Sequence, residues 1–201
     1  MLTRLGAETL VHHAEADSDL DRFLFQPTVT VTDYQTYLGR VYGTLVPLEA
    51  ALATTPGLAD VIDVRARTKS SFVLRDLSKL GVPRQDIVSL PVCTSIPVLR
   101  SPAAALGWLY VVERPLLASS VILRHLEMQL PTDMTGAASY LSCYAGQTGS
   151  MWRALGVAMD RVATSLTVGD AIVAAAHDAF RTLQRWRTYN LQRQIGIRRA
   201  V

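Results

Sequence analysis

The sequence predicts an all-α fold in a single domain, and three observations carry that expectation. Apolar residues recur at three- and four-residue spacing through most of the chain, the one-sided stripe that a packed helix needs. No stretch of any length alternates apolar and polar residues as a half-buried strand would. The 201 residues contain no internal repeat and no low-complexity linker at which two domains would part. A chain of that length buries a sizeable core. Its 49% hydrophobic and 18% charged content argues against disorder. The helical domain is expected over residues 1–190, with 191–201 as a basic tail.

The elements follow in order. Residues 2–16 place Leu2, Leu5, Leu10 and Val11 at helical spacing, with no proline between them. Asp33 is the expected N-cap of a helix from Tyr34 to about Thr54, bent at Pro47. Thr55-Pro56-Gly57 is a turn. A helix from about Arg67 to Leu80 stops at Gly81, with Pro83 beyond it. Pro91 and Pro97 make residues 84–101 an irregular connector. Pro102 suits the first turn of the next helix, Gly107–Leu126. A helix is expected over 135–164, weakened by Gly146 and Gly149. Thr167 with Asp170 resembles a capping box that opens the last helix, which runs past Trp186.

Composition narrows the setting. No uninterrupted apolar run reaches the roughly 18 to 20 residues that span a bilayer. The N-terminus becomes charged too early for a signal-peptide core. A cytoplasmic protein is expected, acting neither on a membrane nor on nucleic acid. Cys93 and Cys143 form no metal spacing and no disulfide framework. The net charge is only +3, yet no acidic residue follows Asp178, while Arg181, Arg185, Arg187, Arg193, Arg198 and Arg199 do. A solvated helix face and tail is the plainer reading of that basic end. Other chemistries lack their residues. There is no Glu-x-x-His pair for a di-iron bundle, no clustered Cys and His for zinc, no nucleophile elbow and no phosphate loop. His125 and His177 are expected at or near the surface.

The stretch Gly107–Leu126, GWLYVVERPLLASSVILRHL, is the centre of the chain. Pro115 removes a helical hydrogen bond and pushes Arg114 out of the α region, so the helix should bend or split there. The small residues Ala118 and Ser119 follow within a turn. The stretch resembles the distal helix of bacterial haem oxygenases, which reads roughly G-x-x-Y-V-x-E-G-S-x-L-G-G. Gly107, Tyr110, Val111, Glu113 and Leu117 match. Arg114 stands at a family glycine, Pro115 at the serine, and Ala118 and Ser119 at the glycine pair. The first helix carries the family's T-x-x-x-H pattern as Thr9 and His13. Residues four apart share a helix face, whereas His12 points about 100° away from its neighbour. Asp17 takes the place of an acidic residue the family often has four positions later. The helices around Tyr34, Tyr140 and Trp186 are similar too, so the resemblance runs from Thr9 to about Trp186.

The resemblance implies a haem oxygenase-like fold of seven or eight helices, with haem held between the first and distal helices. It is nearest the bacterial branch that often accompanies bilin photoreceptors. His13 would ligate the iron, with Thr9 beside it. Tyr110, Glu113, Leu117 and Arg153 would line or rim the pocket, and Arg114, Ala118 and Ser119 would face the oxygen chemistry. Haem would be both substrate and cofactor. It would be opened to biliverdin, iron and CO with O₂ and electrons from a reductase or ferredoxin. Two alternatives use the same fold: a haem- or bilin-binding protein without turnover, and a non-haem helical interaction module with the pocket collapsed around Leu117 and Arg114.

Overall fold

The computed structural model describes residues 1–188; the expected basic tail at 191–201 lies outside the described residues. Every regular element among the described residues is helical. The single first helix expected over 2–16 is instead two, α1 (Leu2–Glu8) and α2 (His13–Phe23), joined by a 3-10 turn at Leu10–His12. Thr9 makes the break. Its hydroxyl donates to the Leu5 carbonyl at 2.6 Å, and its backbone leaves helical geometry at φ −100° and ψ 7°.

Helix α3 (Val31–Ala53) begins three residues before the sequence suggests. Thr30, not Asp33, is its cap. The Asp33 N–H donates to Thr30 Oγ1 at 3.2 Å, and the Thr30 N–H donates back to Asp33 Oδ2 at 2.9 Å. Helix α4 (Ser70–Lys79) follows a 3-10 turn at Arg65–Arg67. Glu49 of α3 caps it, accepting from the Lys69 and Ser70 N–H groups at 2.6 and 2.9 Å. Gly81 ends the helix at φ +84°, a conformation that costs glycine little. The connector after it is not wholly irregular. Pro83 leads into a short helix, α5 (Arg84–Val88).

The central stretch splits at Pro115, but Arg114 is not pushed out of the α region as expected: it stays helical at φ −55° and ψ −45°, and the chain tightens into a 3-10 turn instead. Helix α6 (Pro102–Glu113) ends at a 3-10 turn over Arg114–Ala118, and α7 (Ser119–Gln129) continues from it. The expected helix over 135–164 is only half present, as α8 (Thr148–Val162). Residues 131–147 are turns instead, with Ala145, Gly136 and Gly146 at positive φ. Buried Asp76 ties this loop down, accepting from the Ser139 and Tyr140 N–H groups at 2.8 and 2.7 Å. Helix α9 (Leu166–Thr188) is capped by Ser165 rather than Thr167, since the Val168 N–H donates to Ser165 Oγ.

Two apolar clusters form the interior. One joins Leu5 and the α6, α8 and α9 faces through Leu106, Leu109, Leu155, Ile172 and Phe180. The other joins the N-terminal half of α3 to α4, α7 and the 131–147 loop through Tyr34, Leu38, Leu77, Ile122 and Tyr140. Chain passage from one to the other occurs at the α6–α7 break: Val111 belongs to the first cluster and Leu116 to the second. Helix α6 packs most extensively against α9. By length and apolarity alone, 102–129 could cross a membrane, which the sequence reading did not allow. Over half of its most apolar window is buried inside the protein, as in a core helix.

Candidate functional site

Thr9 at the end of α1 and His13 and Asp17 on α2 follow one another at four-residue spacing, and Asp17 reaches the α6–α7 break. Thr9 is wholly buried. Because its hydroxyl proton goes to Leu5, its lone pair faces His13 Nε2 at 3.2 Å. Burial lowers the His13 pKa, and the nearby Arg114 guanidinium lowers it further, so the imidazole is held neutral. Four residues on, Asp17 meets Arg114 fork to fork: Nη1 to Oδ1 at 2.8 Å and Nη2 to Oδ2 at 3.0 Å. That hydrogen bonding holds the Asp17 carboxyl below the usual range and lifts Arg114 above its own. The split created by Pro115 thus carries a guanidinium across to α2.

His12 does turn away from His13. Its Nε2 lies 2.9 Å from His177 Nδ1 on α9, and its ring stacks on Phe180 at 5.2 Å. Phe180 also touches the His13 ring at 5.9 Å and Tyr110 at 6.4 Å. Tyr110 is buried and packs on Trp152 at 5.5 Å.

An apolar cavity opens beside this line. It lies between α2, α3, the break and α9. Ala16, Leu20, Val111, Val112 and Pro115 form part of its wall. Arg40 and Arg187 bring cations to it, and Trp186 closes its far side. Such a space suits a flat apolar molecule that bears anionic groups. Arg40 and Tyr37 were not singled out from the sequence as site residues, and Arg187 and Trp186 entered only as part of the basic end and of the closing helix. The signal was present for Arg40, a lone cation between Tyr37 and Val41 on the apolar side of α3.

Other singled-out residues go elsewhere. Glu113 is 3% exposed and points into a buried ionic knot, not into the cavity. It accepts from Lys69 Nζ at 2.8 Å and from the Tyr144 hydroxyl at 2.6 and 2.8 Å, with Arg67 Nη1 at 3.2 Å. Leu117 is 47% exposed, and Arg153 lies on the exposed side of α8. Ala118 is half-buried against the second cluster, and Ser119 is buried at the start of α7. None of these five is part of the cavity wall, and neither are Thr9, His13, Tyr110 and Arg114. Gly107, matched to the glycine that opens the family's motif, serves packing. A Cβ there would meet the Ile172 carbonyl oxygen of α9 at 2.5 Å.

No group of three or more His, Cys, Asp or Glu positioned for a metal occurs among the described residues. A comparison with curated proteins finds no match. The family model described as Heme oxygenase matches residues 1–188, which includes every element of the site. With that match across an all-α fold, the chain belongs to the heme oxygenase family.

Proposed function

We propose that this protein takes haem as its substrate between α2 and the α6–α7 break and opens it to biliverdin, iron and CO. O₂ and electrons from a reductase or ferredoxin complete the reaction. The observation that carries the reading is His13 on α2, 3.2 Å from Thr9 Oγ1 and near enough to Arg114 of the break for that guanidinium to act on the ring. Iron that arrives inside a macrocycle needs one protein donor rather than a cluster, and a neutral imidazole is that donor. Haem supplies both the iron that meets O₂ and the ring that is cut.

The chain's own residues do the rest. Thr9 orients the His13 ring. The apolar wall of Ala16, Leu20, Val111 and Pro115 excludes water. Arg40 and Arg187 supply cations from the cavity lining with which carboxylate groups of the ligand would pair. A cytoplasmic setting suits the free thiols of Cys93 and Cys143. A bilin photoreceptor is a partner that would use the product.

Haem titration tests this. A Soret band of histidine-ligated haem should form, vanish in His13→Ala and persist in His12→Ala. The band should weaken only at pH below the ordinary imidazole value of about 6.5, because burial and Arg114 hold the His13 pKa beneath it. Ascorbate should then consume the band and yield a bilin. One observation favours a second reading, binding without turnover: Arg114 stands at the break in place of glycine and bridges to Asp17. A stable band that ascorbate leaves intact would select it. No band at all would sink both.

A further inference from the structure

The haem reading leaves one pair of donor side chains unused. His12 lies in the 3-10 turn between α1 and α2, and His177 lies on α9, 165 positions away. Their facing nitrogens, His12 Nε2 and His177 Nδ1, stand 2.9 Å apart. The two rings meet edge to face at 71°, and Phe180 stacks on His12 and holds its plane. Neither histidine lines the cavity. Both are half-buried, so water and small ions reach them while the backbone that carries them stays packed.

Two neutral imidazoles that share a hydrogen bond hold one proton between two ring nitrogens aimed at each other. A cation can take that proton's place. In a tetrahedral site with each nitrogen roughly 2.0–2.1 Å from zinc, the two nitrogens stand about 3.3 Å apart. The pair therefore needs to open by only a few tenths of an ångström. No proton is lost in the exchange, because the ring that donated carries its proton on the other nitrogen once the metal is bound. The surrounding charge permits it. Glu15 is close enough to act on His12 and favours positive charge there, and Arg181, which opposes it, is engaged by Asp178. We propose that His12 and His177 form a two-imidazole clip for a nitrogen-preferring divalent cation of the Zn²⁺ class, with water in the remaining positions. The clip fastens the α1–α2 junction, where helical hydrogen bonding is broken, to α9. It does not depend on the haem reading.

The test is calorimetric titration of the haem-free, untagged protein with Zn²⁺ and with Mg²⁺, together with the thermal midpoint in each ion. Wild type should take up one Zn²⁺ per chain, and its midpoint should rise with Zn²⁺ concentration by mass action. Mg²⁺ should do neither, because it demands oxygen ligands. His12→Ala and His177→Ala should each weaken Zn²⁺ by more than the roughly tenfold that losing even an outer-shell partner costs. His125→Ala should leave the affinity unchanged, since that ring packs on Phe25 instead. His177→Gln keeps a hydrogen-bonding group without an imidazole and should also lose Zn²⁺; it carries the test if His177→Ala fails to fold by circular dichroism. Zn²⁺ bound as tightly by His177→Gln as by wild type, a loss in His13→Ala but not in the His177 variants, an equal response to Mg²⁺, or no uptake by wild type would each overturn the clip.

Discussion

Glu113 sits one residue before the break, yet its carboxylate faces Lys69, Arg67 and Tyr144 rather than a ligand. One anion there answers two buried cations, and burial together with Glu113 pushes the Tyr144 phenol far above its usual range. Glu113→Gln keeps the shape but leaves Lys69 and Arg67 buried without an anion. Breaking a buried pair in this way costs about 3–5 kcal/mol. Urea denaturation should show a lower midpoint with an unchanged slope, and a midpoint within error of wild type would remove the knot from the protein's stability. The sequence matched Glu113 to a ligand-site motif because motifs record order, not direction. A buried carboxylate demands cations, and R-A-R-T-K supplies them some forty residues away. The Thr9–His13 pairing was legible because it is local. Asp17 as the partner of Arg114 was not, since nothing in spacing joins residues ninety-seven positions apart.

At the scale of elements, the punctuation that proline and glycine impose was legible. Pro115 splits the central helix and Gly81 ends α4, each for backbone reasons that need no tertiary context. The break between α1 and α2 and the 131–147 loop were not. The first depends on a threonine hydroxyl choosing its own helix. The second depends on Asp76 reaching in from α4. The α6–α9 seam offers a paired test. Alanine gains up to about 1 kcal/mol of helix propensity over glycine, but at Gly107 the added methyl meets backbone of α9, and overpacking costs about 1–3 kcal/mol. Gly107→Ala should therefore destabilise. Gly6→Ala in α1, where a Cβ meets nothing within 4 Å, should stabilise. Equal shifts in thermal midpoint of the same sign would show that the seam is looser than the structure has it.

For the whole molecule, helical class and single-domain size were readable because apolar periodicity states which side of a helix is buried. It does not state against what. So the division of the interior into two clusters, joined through α3 and through the break, was not readable. The cavity wall draws on both clusters, with Val111 and Leu183 from one and Leu20, Tyr37 and Tyr140 from the other. An empty space between two cores weakens their coupling. Calorimetry of the empty protein should give a van't Hoff enthalpy below the calorimetric one, and added haem should bring the two together. Equal enthalpies without haem would mean the clusters already melt as one. That same seam bears on how long a copy of the protein lasts. Proteases cut where chains open locally, and opening along the seam is easiest when nothing fills it. A cell rich in substrate would keep its copies and a cell without it would lose them, so abundance would follow haem supply with no regulator beyond the gap between two cores.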